Sequence, residues 1–486
     1  MRRKTELNPL PDRNLEEKAK DLKKLFKGSQ DLLSIPHKTR DESYEILYFN
    51  SLVDQNYLDQ YILPKFIAFE GQVPDQALPL LFQAKNVSDN TVEEISRLLL
   101  AGNVLFLLEH SFFAIHAGSL PKRTPEESAI ETSIRGPKDG FVEDIRTNIS
   151  LIRRRLNTPS LCLEEYSIGK RSNTKVVLMY MEDLIDQRVL DEIHMRLEKT
   201  NLDILTSIYA LESYVRDRPY SIFPSMDYSG RPDFIVQALN QGRFALIVDG
   251  NPTVSYAPVS MLVMVKSPED SYISYAYVSM ERMLRLAGLL ISAFLPGLWV
   301  SFSSFNIEQI PYFLLATISI SRFGIPLSTP IEMAIILLLF EMFNEAGVRL
   351  PRAIGQTVAV LGGLIVGDAA IRAGLTSPTM LVVAAITFVA NFTLVSQYLS
   401  TAITILRFII LLFGTLFGLF GVLAGIILTI LYLSTITSFG EPLLGSLAPF
   451  KLSEAFRSFM MAPRQWYNSR TDATSPEDTT RQEDRS

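Results

Sequence analysis

The residues best suited to chemistry are four charged side chains in an otherwise apolar part of the chain: Glu332, Glu341, Asp368 and Arg372. Residues 286–436 include only ten charged residues and no lysine, although 20% of the whole chain is charged. A carboxylate in hydrocarbon costs roughly several kcal/mol unless it faces protein or water. We therefore expect Glu332 and Glu341 to be buried against protein or to face a pore; a helix end at the membrane interface is the alternative.

The segment that carries Asp368 and Arg372 has two different faces. Small residues recur at every fourth position on one face, at Gly355, Ala359, Gly363 and Gly367. This spacing lets helices approach closely in lipid. The other face presents Leu361, Ile365, Asp368 and Arg372. A ring of such helices, one per subunit, would form a narrow apolar gate with a charged mouth. A tightly packed structural hairpin is the alternative.

Long apolar runs surround these residues and predict an all-α, multi-pass membrane domain over residues 283–437. They occupy residues 284–305, 331–343, 354–373, 379–398 and 405–436. Because about 20 residues span a bilayer, we expect about five crossings, the last of them long and tilted. Residues 311–321 are apolar but short, and we expect a re-entrant or interfacial piece there. Five crossings would place the polar tail opposite the N-terminus.

The sequence before residue 283 is similar in two places and predicts a duplicated α/β region. Residues 52–59 and 184–191 share Leu, an aliphatic residue, Asp-Gln and, after two positions, Leu-Asp. Gly102 and Gly242 each precede an apolar run and fit helix ends. Chance similarity of strand–helix patterns is the alternative.

The predicted domains follow from these patterns. They are 1–30, disordered or a short helix; 31–130, the first α/β subdomain; 131–174, a linker with an amphipathic helix; 175–282, the second α/β subdomain; 283–437, the membrane domain; and 438–486, a polar tail.

The predicted linker is basic. It contains Arg135 and, at the end of its amphipathic helix, Arg153, Arg154 and Arg155. Cations at a helix C-terminus complement the helix dipole. Two interpretations remain open, a solvated interdomain helix and a contact element facing a neighbouring subunit or the membrane surface.

The composition argues against an enzyme and against a metal protein. Cys162 is the only cysteine and the four histidines are scattered, so we expect no disulfide framework, no metal site and no cofactor. No phosphate-binding glycine loop or nucleophile elbow is present. The net charge of −6 gives no indication of nucleic-acid binding. The N-terminus lacks the apolar run of a secretory signal, and Arg282 and Arg285 precede the first apolar run, so we expect a cytoplasmic N-terminal region.

Three long stretches carry a family resemblance. They are SIRGPKDGFVEDIRTNISLIRRRL at 133–156, GRPDFIVQALNQGRFALIVDGNP at 230–252 and NEAGVRLPRAIGQTVAVLGGLIVGDAAIRAGLTSP at 344–378. The chain resembles the A subunit of the spore germinant receptors, the GerA family of endospore formers.

The resemblance implies a multi-pass subunit of the spore inner membrane, with its N-terminal region in the spore core. It implies a transporter-like B subunit, a lipoprotein C subunit and membrane lipid as partners. It also implies a homo-oligomeric ring, a pentamer, that conducts ions when a nutrient binds. Residues 354–373 would line the pore, and Glu332 and Glu341 would assist permeation. The alternatives are a non-conducting, membrane-anchored signalling scaffold and an accessory SpoVAF-type paralogue.

Overall fold

The computed structural model describes residues 15–38, 43–64, 82, 84–108, 111–118, 131, 133–349 and 367–445. Within these ranges the backbone forms two compact units. The α/β unit comprises residues up to Val215 together with Tyr228–Pro258. The helical unit comprises Arg216–Asp227 and the residues from Val259 onward.

The first half of the α/β unit is built on a five-stranded antiparallel sheet of order β1-β2-β4-β5-β3. Its elements are α1 (Leu15–Leu25), β1 (Leu32–Lys38), β2 (Ser43–Phe49), α2 (Gln55–Tyr57, continued by a π-helical turn at Leu58–Ile62), β3 (Lys85–Asn86), α3 (Val92–Leu100), β4 (Asn103–Leu107) and β5 (Phe112–His116). Alternate residues of each strand face opposite sides of the sheet. Val104 and Phe106 accordingly join one apolar core, and Leu105 and Leu107 join the other.

The second half is built on another five-stranded sheet, of order β6-β7-β9-β10-β8. Its elements are α4 (Ile145–Arg153), β6 (Leu161–Ile168), β7 (Thr174–Met181), α5 (Gln187–Lys199), α6 (Ile208–Val215), β8 (Asp227–Ser229), α7 (Pro232–Leu239), β9 (Phe244–Val248) and β10 (Val254–Ala257). All five residues of β9 are buried, as expected of a central strand.

The two sheets have the same strand order, which confirms the predicted pair of repeated α/β subdomains. The repeated sequence pattern also has the same structural role in both copies. Asp54 and Asp186 each cap the following helix by accepting a hydrogen bond from the backbone N–H two residues on. Gly102 and Gly242 have φ of 83° and 78°, the left-handed conformation that ends a helix and favours glycine.

The predicted linker boundary needs correction, because much of residues 131–174 belongs to the second subdomain. β6 is an edge strand of the second sheet, and α4 packs against α7 and β9. The side chain of Asn148 in α4 also bonds both backbone groups of Val142, which fixes the chain entering that helix. The second subdomain therefore begins before residue 175.

A buried ion pair joins the two subdomains. Arg153, at the end of α4, donates from Nε and Nη2 to the two carboxylate oxygens of Asp31, at 2.8 and 2.5 Å. The guanidinium also lies 4.6 Å from the ring centroid of Phe49. Next to this pair, backbone bonds of 2.9 Å join Leu163 to Gly28 and to Gln30. Removing either charge would leave the other buried and unpaired, so this pair is expected to hold the subdomains together.

The single cysteine, Cys162, lies in the same region, and its thiol is unreactive at neutral pH. Cys162 is buried, and its burial, together with the neighbouring Glu182 carboxylate, raises the pKa of its thiol to about 12. Because only the thiolate is nucleophilic and the thiol stays protonated at neutral pH, Cys162 contributes to core packing and not to chemistry.

The helical unit begins with short elements and continues into long apolar helices. It contains α8 (Met261–Met264), a 3₁₀ turn (Pro268–Ser271), α9 (Tyr275–Ser304), a second 3₁₀ turn (Ile307–Gln309), α10 (Tyr312–Ser321), α11 (Thr329–Arg349), α12 (Pro378–Asn391), α13 (Gln397–Ser434), β11 (Thr437–Ser438) and β12 (Glu441–Pro442). In the described part, α9 and α13 are long and apolar enough to cross a membrane, and α10 and α12 are shorter apolar helices.

The expectation that residues 405–436 make a single crossing is wrong, because α13 reverses direction at Gly418. The backbone of Gly418 has φ 60° and ψ −143°, which breaks the helix into two arms. Residues that a straight helix would keep far apart are close together: a Cβ built on Gly425 would lie 2.6 Å from the side chain of Ile410. A Cβ built on Gly414 would lie 3.1 Å from Val422. The segment is therefore a tight helical hairpin.

Both ends of this hairpin contact the same short segment, residues 216–227, which we call the strap. At the start of the first arm, Ser396 donates to the Asp227 carboxylate at 3.0 Å. Just beyond the second arm, Ser438 donates to the Ser225 carbonyl at 2.6 Å. The two ends of the hairpin are therefore on one side, and the chain beyond residue 436 leaves on the side of the strap.

We predict that an impermeant maleimide will reach Cys introduced at Ser274 and at Glu441 from the same side of the membrane. Cys introduced at Gln309, just after α9, should react only from the opposite side. The reason is that α9 crosses once while the hairpin returns to its starting side. The measurement is labelling of sealed vesicles carrying each single-cysteine variant in a Cys162→Ser background. Opposite labelling of the Ser274 and Glu441 variants would contradict the hairpin.

Candidate functional site

Arg407 is a fully buried charge at mid-length of the first hairpin arm, where its side chain needs partners inside the protein. Its side chain is 1% exposed. Arg407 donates from Nε to the Ser292 carbonyl at 2.9 Å and from Nη2 to the Ser292 hydroxyl at 2.7 Å. It also interacts electrostatically with Glu341 of α11.

The Ser292 carbonyl is available because of a proline one helical turn further along α9. Pro296 lies inside the helix and has no N–H to donate to the carbonyl four residues before it. A carbonyl buried without a donor is costly. Arg407 supplies the missing donor from a different helix, so the proline in α9 and the arginine in α13 form one interaction.

A chain of polar contacts extends from this point to a third helix. The Ser292 hydroxyl donates to Asn391 Oδ1 at 3.1 Å, and Asn391 Nδ2 donates to the Ser400 hydroxyl at 3.0 Å. Ser292 and Asn391 are buried. The network therefore connects α9, the end of α12 and the first hairpin arm.

Close helix approach makes these short contacts possible. A Cβ built on Gly297 would lie 2.9 Å from the carbonyl oxygen of Ile410, and one built on Gly414 would lie 2.8 Å from the carbonyl oxygen of Gly297. A larger residue at either position would push the helices apart. Small residues have this role at many membrane helix crossings.

A second buried charge, Glu332, is near the start of α11. Its Oε1 accepts from the Thr376 hydroxyl at 2.9 Å, the Ser377 N–H at 2.6 Å and the Ser377 hydroxyl at 2.9 Å. Its Oε2 is 4.0 Å from Arg322 Nε. Ser377 is the N-cap of α12, where the helix dipole favours a negative charge. Glu332 therefore fastens the start of α12 to α11.

Asp368 and Arg372, two of the predicted gate residues, are exposed. They form an ion pair of 2.8 Å, with side chains 56% and 79% exposed. Gly367, next to them, is buried, and a Cβ built on it would lie 3.1 Å from Leu381. Residues 367–372 are helical. One side of this short helical segment packs on α12, while the charged side has no cover within the described part of the chain. Leu361, Ile365, Gly355, Ala359 and Gly363 lie outside the described residues.

The four arginines predicted as a subunit contact differ in how exposed they are. Arg153 is buried in its pair with Asp31, so its side chain is not available to a neighbouring subunit. Arg155 bonds Asp139 at 2.5 Å and is half-buried. Arg135 and Arg154 are exposed, and contact with a subunit remains a prediction for these two.

Arg407 was missed from the sequence, although a signal was present. It is the only charged residue between Arg372 and Glu441 and stands in the middle of the run ILRFIILLFG. Glu341, which was predicted, is half-buried and lies on the helix facing it. Among the described residues no group of three or more His, Cys, Asp or Glu is arranged to hold a metal ion.

Comparisons with known proteins identify the family of the chain. The model of the Bacillus/Clostridium GerA spore germination protein family matches residues 20–473. The chain belongs to the GerA family. It is 37% identical over 469 residues to spore germination protein XA of Bacillus anthracis, covering 94% of this chain and 95% of that protein. It is 32% identical to spore germination protein KA of Bacillus subtilis, covering 90% and 82%.

A solved structure is also similar to part of the chain. The N-terminal domain of the A subunit of the Bacillus megaterium spore germinant receptor GerK3 covers 50% of this chain and 94% of its own. The sequence identity is 24% and the TM-score is 0.39. The family and the relatives XA and KA are described as spore germination proteins.

We predict that Glu332→Ala will lower the free energy of unfolding by about 1–3 kcal/mol, because three donors at the start of α12 lose their acceptor. Glu332→Gln keeps an acceptor oxygen and should cost less than half as much. Thermal or denaturant unfolding of the purified chain in detergent measures the difference. Glu345→Ala, at an exposed site on the same helix, is the control. Equal effects of Glu332→Ala and Glu345→Ala would contradict the assigned role.

Proposed function

We propose that this chain is the A-type subunit of a nutrient germinant receptor and that copies of it form an ion channel whose opening starts spore germination. Its place would be the spore inner membrane, as a multi-pass protein, with the α/β unit facing the spore core. A transporter-like B subunit and a lipoprotein C subunit would complete the receptor. The assembly we propose is a homo-oligomeric ring, a pentamer.

The observation that carries this proposal is the exposed pair of Asp368 and Arg372 beside the buried Gly367. In a membrane helix, charges on a lipid-facing surface are expensive and normally turn to a protein interior or to water. The described residues of a single subunit do not cover this pair. A ring of subunits around a water-filled path would supply the polar surroundings that it needs.

The predicted gate lies on the same segment. On the predicted pore face, Leu361 and Ile365 precede Asp368 and Arg372. Gly367 belongs to the opposite, small-residue face, whose other members are Gly355, Ala359 and Gly363. In this proposal apolar side chains close the path by excluding water, and the ion pair forms its mouth. Glu332 is assigned to fastening α11 and α12, and Glu341 balances Arg407.

A non-conducting signalling scaffold is the second candidate, and specific contacts favour it. Arg407 and Glu332, the two most buried charges in the described part of the helical unit, both form hydrogen bonds within the same chain. The ion pair of Arg153 and Asp31 likewise gives the α/β unit a fixed internal arrangement. A signalling scaffold needs helices and subdomains that are held in a fixed arrangement, and it needs no pore.

Ion flux from liposomes containing the purified receptor, triggered by nutrient, distinguishes these candidates. For a channel, we expect Asp368→Asn to reduce cation flux several-fold by removing negative charge at the mouth. Leu361→Ala should open the gate and cause leak without nutrient. The controls are Arg372→Lys, which keeps the charge, and Arg154→Gln, at an exposed site on the α/β unit. Nutrient binding without flux would support the scaffold and contradict the channel.

A further inference from the structure

The strap interrupts the second α/β subdomain and binds the end of the helical hairpin. It follows α6 and leads into β8. Arg218 donates to the Thr435 hydroxyl at 3.1 Å, and the Ile222 N–H donates to the Tyr432 hydroxyl at 3.1 Å. The Phe223 ring is also 6.3 Å from the Tyr432 ring. The strap is therefore fixed to the last turn of the second hairpin arm.

The length of that arm gives the depth of the strap. Tyr432 follows Gly418 by 14 residues, which is about 21 Å at a helical rise of about 1.5 Å per residue. The hydrocarbon core is about 30 Å thick, and the headgroup layers lie directly outside it. Thr435, which Arg218 contacts, is about 25 Å from Gly418 by the same rise, so with the turn at Gly418 near one boundary the strap lies within about 10 Å of the other. The same rise gives about 30 Å from Arg285, the last charged residue before the apolar run of α9, to Phe305, which matches the thickness of the hydrocarbon core.

The middle of the strap projects an aromatic side chain. Tyr220 is 99% exposed, and Ile222 is 36% exposed. Pro219, beside Tyr220, is also exposed. Tyrosine is enriched at membrane interfaces because its ring is amphipathic and its hydroxyl can bond headgroups or water. An almost fully exposed tyrosine on a segment tied to the end of a membrane helix fits that layer.

We propose that the strap is a lipid-binding element and that Tyr220 inserts into the headgroup layer on the side where the hairpin ends. The hairpin arm that the strap contacts also exposes apolar side chains, Leu428 and Leu431, which are 52% and 57% exposed. The occupant is phospholipid. The strap carries both positive and negative side chains, Arg216 and Arg218 with Asp217 and Asp227, so its chemistry does not select anionic lipid.

The strap leads directly into a strand of the second α/β subdomain. Because β8 follows the strap directly, an edge strand of the second sheet is tethered to the bilayer surface through residues 216–227.

The experiment is depth-dependent fluorescence quenching of Tyr220→Trp. The native tryptophans Trp299 and Trp466 are replaced by Phe, and the full chain is reconstituted into phosphatidylcholine vesicles brominated at shallow or deep acyl positions. We expect Trp at residue 220 to be quenched at least about twofold more by shallow than by deep bromines, as for an interfacial aromatic residue. Because Tyr220 is exposed, the substitution should leave the fold intact.

Two comparisons make the result decisive. Tyr61→Trp, in the same background, probes a 54%-exposed tyrosine of the first subdomain and should not be quenched. A variant that keeps only Trp299, which lies inside α9, should be quenched by deep bromines. No quenching at residue 220, with Trp299 quenched, would overturn the lipid contact and favour a protein partner for Tyr220. Absence of quenching at both positions would overturn the membrane placement on which the proposal depends.

Discussion

The contact between Arg407 and the Ser292 carbonyl is the interaction on which the helical unit depends. Pro296 leaves that carbonyl without its helical donor, and Arg407 donates to it at 2.9 Å. Each group would be costly to bury alone, the arginine as a charge and the carbonyl as an unsatisfied acceptor. Together they determine how the first hairpin arm is placed against α9. Asn391 then extends the same network to α12.

Two pairs of charges in the helical unit differ in their surroundings. Arg407 and Glu332 have partners in the same chain and connect helices that are distant in sequence. Asp368 and Arg372 pair with each other, one helical turn apart, and they lie on an exposed surface. In the account proposed here, the first group holds the subunit together and the second faces the ion path. The strap, tied to the hairpin end, continues in sequence into β8.

Much of the fold could be predicted from sequence because it rests on local patterns. The repeated Asp-Gln motif marks helix caps in both subdomains, and Gly102 and Gly242 mark helix ends. The reversal at Gly418 could not be predicted in the same way, because residues on both sides are uniformly apolar and glycine is common in membrane helices. Arg153 illustrates a different limit. Its position at a helix end suggested a surface contact, but the partner that buries it, Asp31, is distant in sequence.

The most direct test of the central interaction is a double-mutant cycle between Pro296→Ala and Arg407→Met, read as the free energy of unfolding of the purified chain. The alanine introduced by Pro296→Ala would supply the N–H that the Ser292 carbonyl lacks, so the carbonyl would no longer depend on the arginine. We expect Arg407→Met to cost about 1 kcal/mol less in the Pro296→Ala background than in the native chain. Effects that add within about 0.5 kcal/mol would contradict it.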